Sequence, residues 1–195
     1  MMNDKAHISY HTAKRLLIDL IKNNDFSGDE DVLKLFHSIL GEQPCSGCFD
    51  DDALSRIIID REARIFLPDY SPKEVKMPYL PKTVFLFFLL HPDGVEFKSL
   101  CNYRQELYDI YQMVAIKKNI EADKIRQVLG NLVEPVNNRI YETCSIIRKT
   151  LLNIVPAPCI GLYCITGKRG GVHHILLERE LIVIEHEKLE RLMEK

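Results

Sequence analysis

Two apolar runs near the C-terminus, Ile160 to Ile165 and Val172 to Leu177, flank a basic glycine-rich turn, Thr166-Gly-Lys168-Arg169-Gly-Gly171. Upstream, the segment Val136 to Leu152 carries Arg139, Arg148 and Lys149. Cations on a helix and on a loop tip neutralise phosphate, whereas Arg pairs bidentately with guanine and Asn with adenine in the major groove. The types and spacing therefore suggest a grip on duplex DNA. Asn138 and Arg139 at the helix start are the candidates for base edges, and Arg148, Lys149, Lys168 and Arg169 are the candidates for phosphate. The same cations also suit a helix that merely solvates its outer face, so the elements that position them matter.

A second set of residues with chemical potential is Cys45-Ser-Gly-Cys48. Two thiolates at this spacing match half of a zinc site, but a closed structural site takes four ligands and no second CxxC or Hx3-5H follows. His37 lies eight residues upstream and Asp50 to Asp52 make a poor ligand set for such a site. The thioredoxin strand-helix context is also missing, so a loop with two ordinary thiols is the expectation, and no metal or cofactor is called for. His173-His174 falls on a strand-like run, where neighbours point to opposite faces and cannot share one metal. The sequence holds no GxxxxGK[ST], HExxH or GxSxG, and Gly167 to Gly171 does not open a helix as a phosphate-binding loop would. No catalytic constellation emerges, and an enzyme is not expected.

Composition narrows the remaining classes. The chain has 195 residues, 46% of them apolar, enough to bury a core in one domain with a small helical extension. Val84 to Leu90 is the strongest apolar run and is far short of a membrane span, and the N-terminus lacks the features of a secretory signal. The six cysteines, three of them (Cys144, Cys159, Cys164) inside apolar patterns, read as small buried hydrophobes of a reducing compartment. A cytoplasmic protein without membrane contact is expected. Net charge is -2, yet the charge is segregated: residues 1–75 hold 9 Lys/Arg against 14 Asp/Glu, while 136–175 hold five cations and a single acid, Glu142. Local rather than global charge steers a protein toward phosphate.

Hydrophobic periodicity then places these residues on elements. In residues 1–48, Ala13, Leu16, Leu17, Leu20 and Ile21 fall at helical spacing, as do Val32, Leu33, Phe36, Ile39 and Leu40, which predicts a helical region ending in the loop Gly41 to Asp52. Ile57-Ile-Ile59 and Ala63 to Leu67 flank a polar break and predict a hairpin. Pro78 and Pro81 introduce an apolar helix, roughly Lys82 to Leu90, stopped by His91-Pro-Asp-Gly94 and buried on most sides. A short strand at Val95 to Phe97 precedes a helix whose face is Leu100, Leu107, Ile110, Tyr111 and Val114. A further helix, Ala122 to Leu129, ends at Gly130, and Pro135 opens the next, with an inward stripe of Ile140, Cys144, Ile147 and Leu151. The runs around Thr166 to Gly171 predict a second hairpin, Leu181 to Ile184 another strand, and residues 186–195 a helical tail.

This order resembles one family. From about Ile57 to Leu177 the chain is similar to the winged-helix DNA-binding effector domain of OmpR-type response regulators. The likeness lies in Ile57-Ile-Ile-Asp60 through Leu67, in Leu80-Pro-Lys-Thr-Val-Phe-Leu-Phe-Phe-Leu-Leu-His-Pro-Asp-Gly94, and in Ile147-Arg148 with Leu151. At the hairpin Thr166, Arg169, Gly170 and Gly171 follow the family, with one extra residue and with Val172-His173 where the family has an aromatic. The resemblance implies an α+β fold: a winged helix-turn-helix over 53–185, preceded by a small antiparallel β-hairpin or sheet and by the N-terminal helical region. It implies a transcription regulator that uses the helix and wing on duplex DNA. The roughly 50 residues upstream are fewer than a receiver domain needs, so aspartyl phosphorylation within the chain is not expected. The N-terminal helices would meet a protein partner or a second copy. The acidic N-terminal half and the altered wing keep open an alternative, a protein-interaction module on a winged-helix scaffold that does not bind DNA.

Overall fold

The structure, a computed structural model, describes residues 54–193 apart from 119 and 135. The N-terminal helical region and the Cys45/Cys48 motif lie outside the described residues. In the described part the chain has a mixed α+β architecture, as expected.

Three β-prone isoleucines form β1 (Ile57–Ile59), which pairs antiparallel with β2 (Ile65–Leu67), with Ile58 opposite Phe66 and Ile59 opposite Ile65. Asp60 makes the turn between them: one carboxylate oxygen accepts from the backbone N–H groups of Glu62 (2.9 Å) and Arg64 (2.8 Å), the local capture by which Asp favours turns. A third strand, β3 (Ser71–Glu74), has no counterpart in the sequence-based reading. Its Pro72 hides the strand signal, and the strand is accordingly found at the sheet edge, where a missing N–H is tolerated. On the other side β7 (Ile182–Ile184) runs parallel to β1, giving the order β3-β2-β1-β7 and bringing the end of the chain back to residue 57.

Helix α1 (Tyr79–Leu90) begins three residues earlier than expected, because Pro81 in the first turn lacks an N–H that would have had no partner there. Every residue from Leu80 to Leu90 is buried, Lys82 included; its Nζ lies 3.7 Å from the Glu74 carboxylate. Against α1 pack α2 (Arg104–Ala115), reached through a 3-10 turn at Phe97–Tyr103, and α4 (Arg139–Leu151), while α3 (Ala122–Val133) lies between them in sequence and packs on both α2 and α4. Gly130 does not end α3. The burial of Leu132 and Val133 beyond it, about 1.5–3 kcal/mol each, outweighs a glycine penalty of about 1 kcal/mol. Pro135, expected to open α4, lies outside the described residues; α4 itself begins at Arg139, after a turn at 136–138, and Val136 stays 85% exposed.

The second sheet has the order β4-β6-β5, antiparallel throughout, from β4 (Val95–Glu96), β5 (Ile165–Gly167) and β6 (Val172–Ile175). Ile160 to Tyr163, expected as strand, is instead a single helical turn, α5 (Ile160–Tyr163). Tertiary packing overrides the β-prone run: Ile160, Tyr163 and Cys164 are buried, and the Tyr163 hydroxyl donates to the Ser55 carbonyl at 2.7 Å, tying the hairpin's foot to the first sheet. The tail forms α6 (Glu187–Met193) with Leu189 buried. Among the described residues no helix is long and apolar enough to cross a membrane.

Candidate nucleic-acid interface

Helical periodicity divides α4 into four stripes. Ile140, Thr143, Ile147 and Leu151 are buried, and Cys144 beside them is half-buried. Opposite, Asn138, Glu142, Ser145, Lys149 and Leu152 follow one another by four, three, four and three residues, and all are exposed. Between these faces two flanks remain, one with Tyr141 and Arg148, the other with Arg139 and Ile146.

The β5–β6 hairpin lies along the Tyr141/Arg148 flank. At its foot, burial pushes the Cys164 thiol up and the neighbouring Arg148 guanidinium acts against that shift. Burial also pushes the Cys144 thiol up to about 12, so neither sulfur is a ready nucleophile. Near the tip, Tyr141 and Ile140 share a cleft of about 150 Å³ with Gly170, Gly171, Phe97 and His173. Tyr141 and Arg148 are two helical turns apart, about 10 Å, so the hairpin meets the helix at two points, foot and tip, separated by about that length.

Phe97 holds this corner together. Its ring stacks on His173 (3.7 Å between centroids, 13°) and meets Tyr141 of α4 (5.2 Å) and Phe88 of α1 (6.0 Å) edge-on. His173 Nδ1 lies 2.9 Å from the Gly171 carbonyl, which can only accept, so this nitrogen carries the proton. Burial lowers the imidazole pKa, while the bond to Gly171 acts the other way. The neighbouring His174 is half-buried, in keeping with the alternation of a strand.

Three glycines make the hairpin possible where it is; one, Gly167 of β5, would press a Cβ into the Val172 carbonyl. Gly94, φ +77°, ends the turn after α1, and a Cβ there would stand 2.5 Å from the His173 carbonyl and from Val172. Gly170, φ +79°, occupies the third position of a turn closed by the Gly171 N–H on the Lys168 carbonyl at 2.9 Å, a place that type II turns keep for glycine. Lys168 and Arg169 stand exposed on that turn.

The six sequence-derived residues thus occupy different positions. Asn138 and Lys149 share the central exposed stripe, Arg148 faces the hairpin foot, and Lys168 and Arg169 form its tip. Arg139 lies on the far flank, where its Nη1 donates to Glu142 Oε2 at 2.8 Å. The pair is exposed and contributes only about 0.2–0.5 kcal/mol, enough to bias the carboxylate toward Arg139. Arg148, Lys149, Lys168 and Arg169 form no ion pair with a carboxylate among the described residues. Sequence reasoning missed Tyr141, Ser145 and Phe97. The first two were discoverable from the seven-residue spacings, whereas Phe97 gains its place only through contacts with β6 and α4. Among the described residues no three His, Cys, Asp or Glu side chains gather in a group able to hold a metal ion.

Comparisons with protein-family models, with curated proteins and with solved structures returned no match.

Proposed function

We propose that this chain binds duplex DNA through a winged helix and regulates transcription. In this reading α4 enters the major groove with its Asn138–Lys149 stripe, and the β5–β6 hairpin lays Lys168 and Arg169 on adjacent phosphates. The observation that carries the reading is the pairing of elements. A helix with an exposed, largely polar face meets a hairpin, and Arg148 and Lys149 on the helix and Lys168 and Arg169 on the hairpin have no carboxylate partner among the described residues, while Arg139 pairs with Glu142.

The test is binding of the full chain to mixed-sequence duplex DNA across a salt series, for wild type and for the Lys168→Ala, Arg169→Ala double variant. Affinity should fall steeply with salt, and removing two phosphate contacts should make the log–log slope shallower by about 2. No binding at low salt would refute the proposal.

A second reading has its own observation. Val136, Tyr141, Ile146 and Leu152 expose apolar surface around the same helix, which suits a protein partner on a scaffold that has lost DNA binding. Absence of DNA binding together with folded, stable protein would favour it.

A further inference from the structure

We infer that Glu142 is a specificity-determining residue of this interface, reading the exocyclic amino group of a cytosine, and that Arg139 is its positioning residue rather than a reader of guanine. The inference rests on the DNA reading above. Glu142 is the single acid among residues 136–175, against five cations, and it stands in the middle of the surface that would face phosphate. A carboxylate there opposes non-specific binding, since it repels the backbone that the cations attract. Its place is nevertheless well defined. It belongs to the exposed stripe of α4, four residues after Asn138 and seven before Lys149, so it faces the same way as both.

Its geometry suits base reading. Arg139 donates to Oε2 at 2.8 Å and leaves Oε1 without a hydrogen bond among the described residues. The second oxygen is thus an open acceptor on the exposed helix face, biased in direction by Arg139. In the major groove cytosine offers a donor at N4, and Glu or Asp accepts from it. Arg139, its fork already engaged with Glu142, lies on the flank away from the hairpin, not on the central stripe. The surrounding cations supply affinity that is blind to sequence, and the carboxylate supplies discrimination: it is favoured where a cytosine amino group meets it and disfavoured by the acceptor edges of guanine, adenine N7 and thymine O4.

The experiment has two stages and uses the full chain. A randomised duplex library is first selected with wild type, then with Glu142→Ala, Glu142→Gln and Arg139→Ala; next, each protein's affinity is measured for the wild-type selected site, for that site with the one C·G pair replaced, and for mixed-sequence DNA. Glu142→Ala should bind mixed-sequence DNA as tightly as wild type or a few-fold tighter, and should lose roughly tenfold of the preference for the C·G pair. Arg139→Ala should keep the preference in weaker form, because the acceptor remains and only its anchor is gone. Glu142 is 59% exposed, so the variants keep the fold, which circular dichroism would check. Binding by wild type with the same selected sequence for Glu142→Ala overturns this inference and leaves the DNA reading standing. A guanine preference lost only in Arg139→Ala overturns it as well. No salt-dependent binding by wild type overturns both.

Discussion

The two sheets treat charge differently. In the four-stranded sheet and its turns several charges are paired: Arg64 meets Asp60 at 2.6 Å, Arg56 lies 3.5 Å from Asp69, and the buried Lys82 approaches Glu74. Around the three-stranded sheet Glu96 of β4 pairs with Lys98 at 3.1 Å and Glu142 with Arg139, whereas Lys149, Lys168 and Arg169 find no carboxylate partner among the described residues. The Arg64–Asp60 pair closes a turn, whereas Arg56–Asp69 and Lys82–Glu74 join separate segments around the sheet. Arg148 and Lys149 also favour the C-terminal end of the α4 dipole, but Lys168 and Arg169 at the hairpin tip have no carboxylate partner among the described residues, and the tip together with the α4 stripe is the surface we assign to a ligand.

The contrast can be broken by measurement. Ile59 of β1 is fully buried, and Ile59→Ala should destabilise the protein by about 2–5 kcal/mol in chemical denaturation. An effect under 1 kcal/mol would mean that the first sheet is not the structural half. Gly94→Ala should cost about 1–3 kcal/mol, since it adds a side chain to a left-handed residue pressed against β6. Tyr163→Phe, which removes the hydrogen bond to the Ser55 carbonyl, should cost about 1 kcal/mol.

His173 gives a pH test within the second sheet. Its folded pKa is lowered, so the unfolded chain takes up the proton first. Its contribution is intact above about pH 6.5, the ordinary imidazole value, and is lost as pH falls below it. Thermal unfolding between pH 7.5 and 5.5 should show stability falling in that window, and His173→Phe should flatten the fall. The smallest effect is expected at the ligand surface: the Lys168→Ala, Arg169→Ala double variant should change stability by no more than about 0.5 kcal/mol while altering DNA affinity and its salt slope. A large loss of stability there would erase the distinction between the two sheets.

Local signals made much of this fold legible. The β1–β2 hairpin, the buried α1, the short β4 and the glycine-rich hairpin all follow from apolar periodicity broken by Gly, Pro or Asp, and those are properties of neighbouring residues. Where the reading failed, distant residues decided. Ile160 to Tyr163 is β-prone by composition but coils because Tyr163 reaches Ser55, more than a hundred positions away in the chain. α3 continues past Gly130 because Leu132 and Val133 have somewhere to be buried. β3 escaped notice because its Pro72 looks like a breaker unless the strand is known to sit at an edge.

The candidate interface divides the same way. By itself the sequence determined that cations collect in residues 136–175, that a helix and a glycine-rich hairpin carry them, and that one glutamate lies among them, because composition and spacing are local. Only the tertiary structure decided which cations share a face. Packing against α1 rotates α4 so that Lys149 points outward, Arg148 turns toward Cys164 and Arg139 turns to Glu142. Side chains one or two positions apart on a helix point in directions about 100° or 200° apart, and the burial of Ile140, Ile147 and Leu151 selects which of them meets a partner.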